Sequence, residues 1–93
     1  ESYKLPVAPH DCTGPVTLMA GVHLAINLPN GFIQETVRAY NSGWYPTIVD
    51  RMPDIEFGEV GAPTEPGLGM ALRPEVFTDP RTSMRKSDAR TIV

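Results

Sequence analysis

One stretch constrains this chain more than any other: residues 16–28, where apolar side chains occupy nearly every side of a helix. Val16, Leu18, Met19, Ala20, Val22, Leu24, Ala25, Ile26 and Leu28 leave no continuous polar stripe. A helix of that kind needs cover on more than one face. Thr13 or Gly14 is placed to cap it, and Pro15 suits its first turn, where a missing N–H is no loss. Pro29-Asn30-Gly31 stops it. On one side lie residues 5–8, where Pro6 and the following Pro9 allow only a short strand. On the other, Phe32-Ile33-Gln34-Glu35-Thr36-Val37 reads as a second strand. Strand, helix, strand with short connections is a βαβ unit, with parallel strands and a right-handed crossover.

Such a unit is incomplete. Two parallel strands leave both edges open, and parallel sheets are normally covered on both faces. Nothing later supplies more parallel strands. Residues 43–51 read as a short helical segment ended by Met52-Pro53. Residues 55–60 and 69–72 predict an antiparallel pair around the turn-rich residues 61–67. From Phe77 onward the chain is polar and lightly basic (Arg81, Arg85, Lys86, Arg90), which predicts a mobile tail. The expected organisation is α/β, with a βαβ unit at 1–37, a following segment at 38–77 and a tail at 78–93. Residues 1–37 thus read as a slice of a larger α/β sheet or barrel. Open strand edges and an all-round apolar helix predict self-association.

Composition removes several classes of function. Eight Lys and Arg against eleven Asp and Glu give a net charge of −3, which offers no footprint for nucleic acid or an anionic membrane. The lone Cys12 excludes an intrachain disulfide and a zinc cluster of spaced cysteines, and fits a reducing cytoplasm. No apolar run approaches the ~18–20 residues that span a bilayer, and Glu1-Ser2-Tyr3-Lys4 has no signal-peptide character. The ten prolines are spread between segments, as punctuation.

In parallel sheets, sites lie beyond the C-terminal ends of the strands. His10 follows the first expected strand and Glu35 sits at the end of the second, so neighbouring strands would aim both at one mouth. An imidazole and a carboxylate there suit proton transfer at carbon. Residue type alone favours blander roles: a surface or capping histidine, and a solvated carboxylate. Asp11 reads as a turn residue bonding local backbone. Cys12, with no basic partner evident in sequence, reads as a buried or idle thiol. His23 reads as a packed or snorkelling residue within the helix, and Trp44 and Tyr45 as core plugs. Asp50, Asp54, Glu56 and Glu59 are too scattered to suggest a metal site.

The string Ala8-Pro9-His10-Asp11-Cys12-Thr13-Gly14-Pro15-Val16, followed by Phe32-Ile33-Gln34-Glu35, resembles the last barrel strands of the mandelate racemase/muconate lactonizing branch of the enolase superfamily. It is most similar to acid-sugar dehydratases of the galactonate dehydratase type. Glu65-Pro66-Gly67-Leu68-Gly69 resembles a turn near their C-terminus, and the order holds across residues 1–77. The resemblance implies a C-terminal slice of a modified (β/α)₇β TIM-like barrel. Residues 5–8 would be the seventh strand, 15–28 the following helix and 32–37 the eighth strand, while 55–72 would pack on a capping domain. It implies that His10 abstracts the proton α to a substrate carboxylate and that Glu35 hydrogen-bonds the developing enediolate. It also implies Mg²⁺ and an acid-sugar substrate in a parent enzyme. The cap, the carboxylates that hold the metal and the aspartate partner of the histidine would lie on segments outside this chain. The chain alone is therefore expected to bind no Mg²⁺ and to be inactive. A racemase, epimerase or cycloisomerase origin, or a non-enzymatic assembly module, are the alternatives.

Overall fold

The computed structural model describes residues 2–88. The last part of the expected tail, residues 89–93 with Arg90, lies outside the described residues. Helix α1 (Pro15–Asn27) forms where the apolar run places it. Its N-cap is Gly14, and no side chain caps it, so Thr13 does not take the role its residue type suggests. Leu28 is extended and donates its N–H to the Leu24 carbonyl, closing the last turn before Pro29.

The cover on α1 is one-sided. Pro15, Leu18, Met19 and Val22 are buried, a spacing that keeps them on one face. Val16, Leu24 and Ile26 remain 40–53% exposed, so the second covered face expected from the sequence is not provided by the described residues. The buried face meets the segment that follows the βαβ-like region. There α2 (Arg38–Ser42) and α3 (Tyr45–Ile48) pack together, and Tyr45 joins Leu18 and Val22 in the central cluster, flanked by Tyr40, Met52 and Val60. Trp44 stands edge-on to Tyr45 at 4.6 Å between ring centroids, a favourable aromatic geometry. Tyr45 is a core plug as expected; Trp44 stays 41% exposed.

The two expected parallel strands are reduced to one isolated parallel bridge, Val7 to Gly31. Around it, Val7 N–H donates to Asn30 O (2.9 Å), Phe32 N–H to Val7 O (2.9 Å) and Glu35 N–H to Pro9 O (3.0 Å). The segments run parallel. With prolines at 6 and 9 and no strand neighbours on their outer edges among the described residues, a regular ladder does not develop. The antiparallel pair also differs from expectation. Residues 55–60 fold on themselves as a hairpin, β1 (Ile55–Glu56) against β2 (Glu59–Val60). Phe57 (φ 51°) and Gly58 (φ 80°) both take left-handed conformations at the turn, the geometry that two-residue hairpins favour. Residues 69–72 pair elsewhere: Leu72 bridges Val49, and Arg73 N–H donates to Ile48 O at 2.9 Å.

The Pro66-Gly67-Leu68-Gly69 turn, with both glycines at positive φ, docks on α1 through His23, whose Nε2 lies 2.8 Å from the Leu68 carbonyl. That contact gives His23 the structural role expected of it. A 3₁₀ turn, Pro74–Phe77, follows. Beyond it Asp79 bonds the Arg81 guanidinium at 2.7 Å, and that side-chain contact first, with the Arg81 N–H second, holds the Asp79 carboxyl down at about 2. The radius of gyration is 15.4 Å, against roughly 12 Å for a compact domain of this length. The chain is a flattened slab, 44 × 39 × 24 Å. No helix among the described residues is long and apolar enough to cross a membrane.

Candidate active site

The parallel register brings together the two residues singled out at the segment ends. Glu35 N–H on the Pro9 carbonyl places Glu35 beside His10, and His10 Nε2 comes within 3.6 Å of Glu35 Oε2. Both side chains are more than half exposed, at 66% and 53%. Ion pairs this open to water contribute about 0–1 kcal/mol, so the contact gives way readily to a ligand. Cys12 is exposed rather than buried, and its Sγ lies 3.8 Å from His10 Nε2. The basic partner missing from the linear reading is therefore His10 itself, two residues earlier, across the turn.

Gln34 alternates to the other side of its segment, as extended backbone requires. Its Nε2 donates to Pro9 O (3.2 Å) and Glu35 O (2.7 Å). The side chain lies against α1 at Gly21, where a Cβ would stand 2.5 Å from Gln34 Oε1. A small residue in the helix thus admits the amide that ties the Glu35 segment to the His10 segment.

Asp11 departs most from its reading. It makes the expected local bond, accepting from Thr13 N–H at 3.3 Å. It is also fully buried, and it accepts from Tyr45 OH (3.2 and 3.1 Å to its two oxygens) and from Thr36 Oγ1 (3.3 Å). Burial, and then the Asp11 carboxylate, push the Tyr45 phenol up to about 12. Nothing in the linear pattern signals this hub, because its partners lie 25 and 34 residues away. Among the described residues, no three His, Cys, Asp or Glu side chains gather where they could hold a metal ion.

Residues 1–76 match the model of the enolase C-terminal domain-like family. The chain belongs to this family. The enolase C-terminal domain-like match is joined by a D-xylonate dehydratase from Haloferax volcanii, 33% identical over 72 residues, 77% of this chain and 17% of that protein. An enolase of the mandelate racemase subgroup from Agrobacterium tumefaciens, crystallised with a succinimide residue, sodium and phosphate, superposes with a TM-score of 0.79. It is 45% identical, over 98% of this chain and 25% of that one. An enolase protein from Sargasso Sea environmental sequencing gives a TM-score of 0.74 at 51% identity, over 82% of this chain and 20% of its own. The family fold is of the TIM-barrel type. The chain spans about a sixth to a quarter of the length of these relatives.

Proposed function

We propose that this chain is the C-terminal part of an acid-sugar dehydratase of the enolase superfamily, with His10 as its base and Glu35 as the hydrogen-bonding partner of the enediolate. On this reading residues 5–8, α1 and residues 32–37 stand for the seventh strand, the helix after it and the eighth strand of the barrel. The approach of His10 Nε2 to Glu35 Oε2 at the ends of two parallel segments carries the proposal. The D-xylonate dehydratase relative supports a sugar-acid substrate, and the Pro9-His10 and Gln34-Glu35 pattern points to an aldonate of the galactonate type.

His10 is suited to take the proton from the carbon α to the substrate carboxylate, because an imidazole exchanges protons near neutral pH. Glu35 meets a substrate carboxylate favourably only through a shared proton, and such a charge-assisted bond strengthens as the enediolate oxygen gains charge. Enolase-superfamily enzymes use Mg²⁺, which acidifies that α-proton. The described residues do not fit the ion: no cluster of three ligating side chains exists, and His10 with Glu35 offers one nitrogen and one carboxylate where Mg²⁺ favours octahedral oxygen ligands. The contribution of this chain is confined to proton handling, and it is inactive by itself.

The longest open reading frame containing these codons, expressed and supplied with Mg²⁺, is the material for the test. Aldonates including D-galactonate and D-xylonate are followed for C2 proton exchange and loss of water. His10→Asn is expected to lower turnover by about 10²–10⁴-fold, the usual contribution of a general base. Dehydration unaffected by His10→Asn would sink the assignment. Exchange without loss of water selects a racemase or epimerase instead, and turnover by the 93-residue chain alone refutes its inactivity.

A further inference from the structure

We propose that Asp11 is a positioning residue: its buried carboxylate, held by Thr36 and Tyr45, locks the His10 turn onto the Glu35 segment and sets the distance between those two side chains. The proposal rests on reading His10 and Glu35 as the reactive pair.

His10 and Asp11 are consecutive in one segment, Glu35 and Thr36 in the other. His10 and Glu35 turn outward and face each other at 3.6 Å. Asp11 and Thr36 turn inward and meet at 3.3 Å. One residue before the outward pair, Glu35 N–H donates to Pro9 O at 3.0 Å. The pair is thus bracketed, by a backbone bond on one side and a side-chain bond on the other. Without the second, the remaining ties, the Glu35–Pro9 backbone bond and the Gln34 amide on the same Pro9 carbonyl, both lie on one side of the pair, and the His10–Glu35 contact is itself too exposed to fix either side chain.

The inward bond is well supported. Asn41 Nδ2 donates to Thr36 Oγ1 at 3.0 Å, and the single threonine proton has two acceptors in reach, Asn41 Oδ1 at 3.2 Å and Asp11 Oδ2 at 3.3 Å, of which the carboxylate is the stronger. Tyr45, fully buried against Leu18 and Val22, donates its hydroxyl to the same carboxylate. The anchor of His10 is therefore the core of the fold and not the surface loop. A buried carboxylate is costly unless hydrogen-bonded, and here each contact joins a different segment: residues 11–13, residue 36 and α3.

The test uses NMR on the 93-residue chain, with Asp11→Ala and Thr36→Val as variants. In the unsubstituted chain, a nuclear Overhauser contact is expected between the His10 imidazole Hε1 and the Glu35 side-chain methylene protons. A second, between the His23 ring and Leu68, reports on the fold elsewhere. Both variants are expected to lose the first contact and keep the second. Persistence of the first contact in Thr36→Val overturns the proposal, as does its absence from the unsubstituted chain. Loss of both contacts in both variants also overturns it, since Asp11 would then support the fold as a whole. If Asp11→Ala alone unfolds, Thr36→Val decides, because it leaves the Tyr45 bond to Asp11 in place. The readout needs no turnover. Failure of the dehydratase assay leaves this result standing, and a persistent contact leaves the assay standing.

Discussion

Replacing Tyr45 by Phe removes one oxygen from a fully buried side chain and leaves its ring packing against Leu18 and Val22 in place. What is lost is the hydroxyl's bond to Asp11, at 3.1 Å to the nearer oxygen, while Thr36 and the Thr13 N–H remain. A hydrogen bond to a charged partner contributes about 1.5–3 kcal/mol. The phenol's titration sets how that contribution depends on pH. Its pKa rises from 10.0 to about 12, with burial as the main cause and the Asp11 hydrogen bond second. Two pK units correspond to about 2.7 kcal/mol, a ceiling for the bond to Asp11 because burial is the leading cause of the shift. The sign follows from linkage. The folded-state value is the higher one, so the contribution is complete below the unfolded value near 10 and is lost as pH rises through about 12. Urea unfolding followed by circular dichroism at pH 7 and pH 11 tests this. Tyr45→Phe is expected to be about 2 kcal/mol less stable at pH 7, and the gap is expected to shrink at pH 11. Equal midpoints at pH 7, or a gap unchanged at pH 11, would refute the reasoning.

Gly31→Ala is expected to destabilise the chain by about 1–3 kcal/mol, the usual cost of forcing an extra group into a packed site. Its Cβ would lie 2.5 Å from the Ala25 carbonyl oxygen and 3.2 Å from that of Leu28, both backbone atoms that cannot swing aside. Thermal melting measures the loss, with faster amide exchange at Phe32 N–H, which bonds Val7 O; an unchanged melting temperature contradicts the packing argument. The chain is also expected to self-associate at micromolar concentration, because Leu24, Ile26, Phe32 and Ile33 are 50–76% exposed and the parallel segments have open edges. Light scattering that reports a monomer across that range contradicts it.

The sequence by itself determined α1 and its ends, because Pro15 at the first turn, apolar residues on nearly every side of the helix and Pro29 act within a short stretch of chain. It also determined that His10 and Glu35 stand at matched positions, since a short parallel crossover leaves little freedom in register, and that Tyr45 and His23 serve structure. Everything that depended on remote partners was decided by the tertiary structure. Residues 55–60 close on Phe57-Gly58 because a two-residue turn satisfies them locally, and residues 69–72 are left to meet Val49 instead. The expected strands shrink to a bridge because a ladder needs neighbours that these residues do not provide. Cys12 comes near His10 across a turn. Asp11, an ordinary turn residue by type, becomes the buried junction of three segments because Thr36 and Tyr45 arrive from 25 and 34 residues away. Local patterning fixes where His10 and Glu35 stand along the chain; only the packed fold supplies the buried bonds of the neighbouring Asp11 and Thr36.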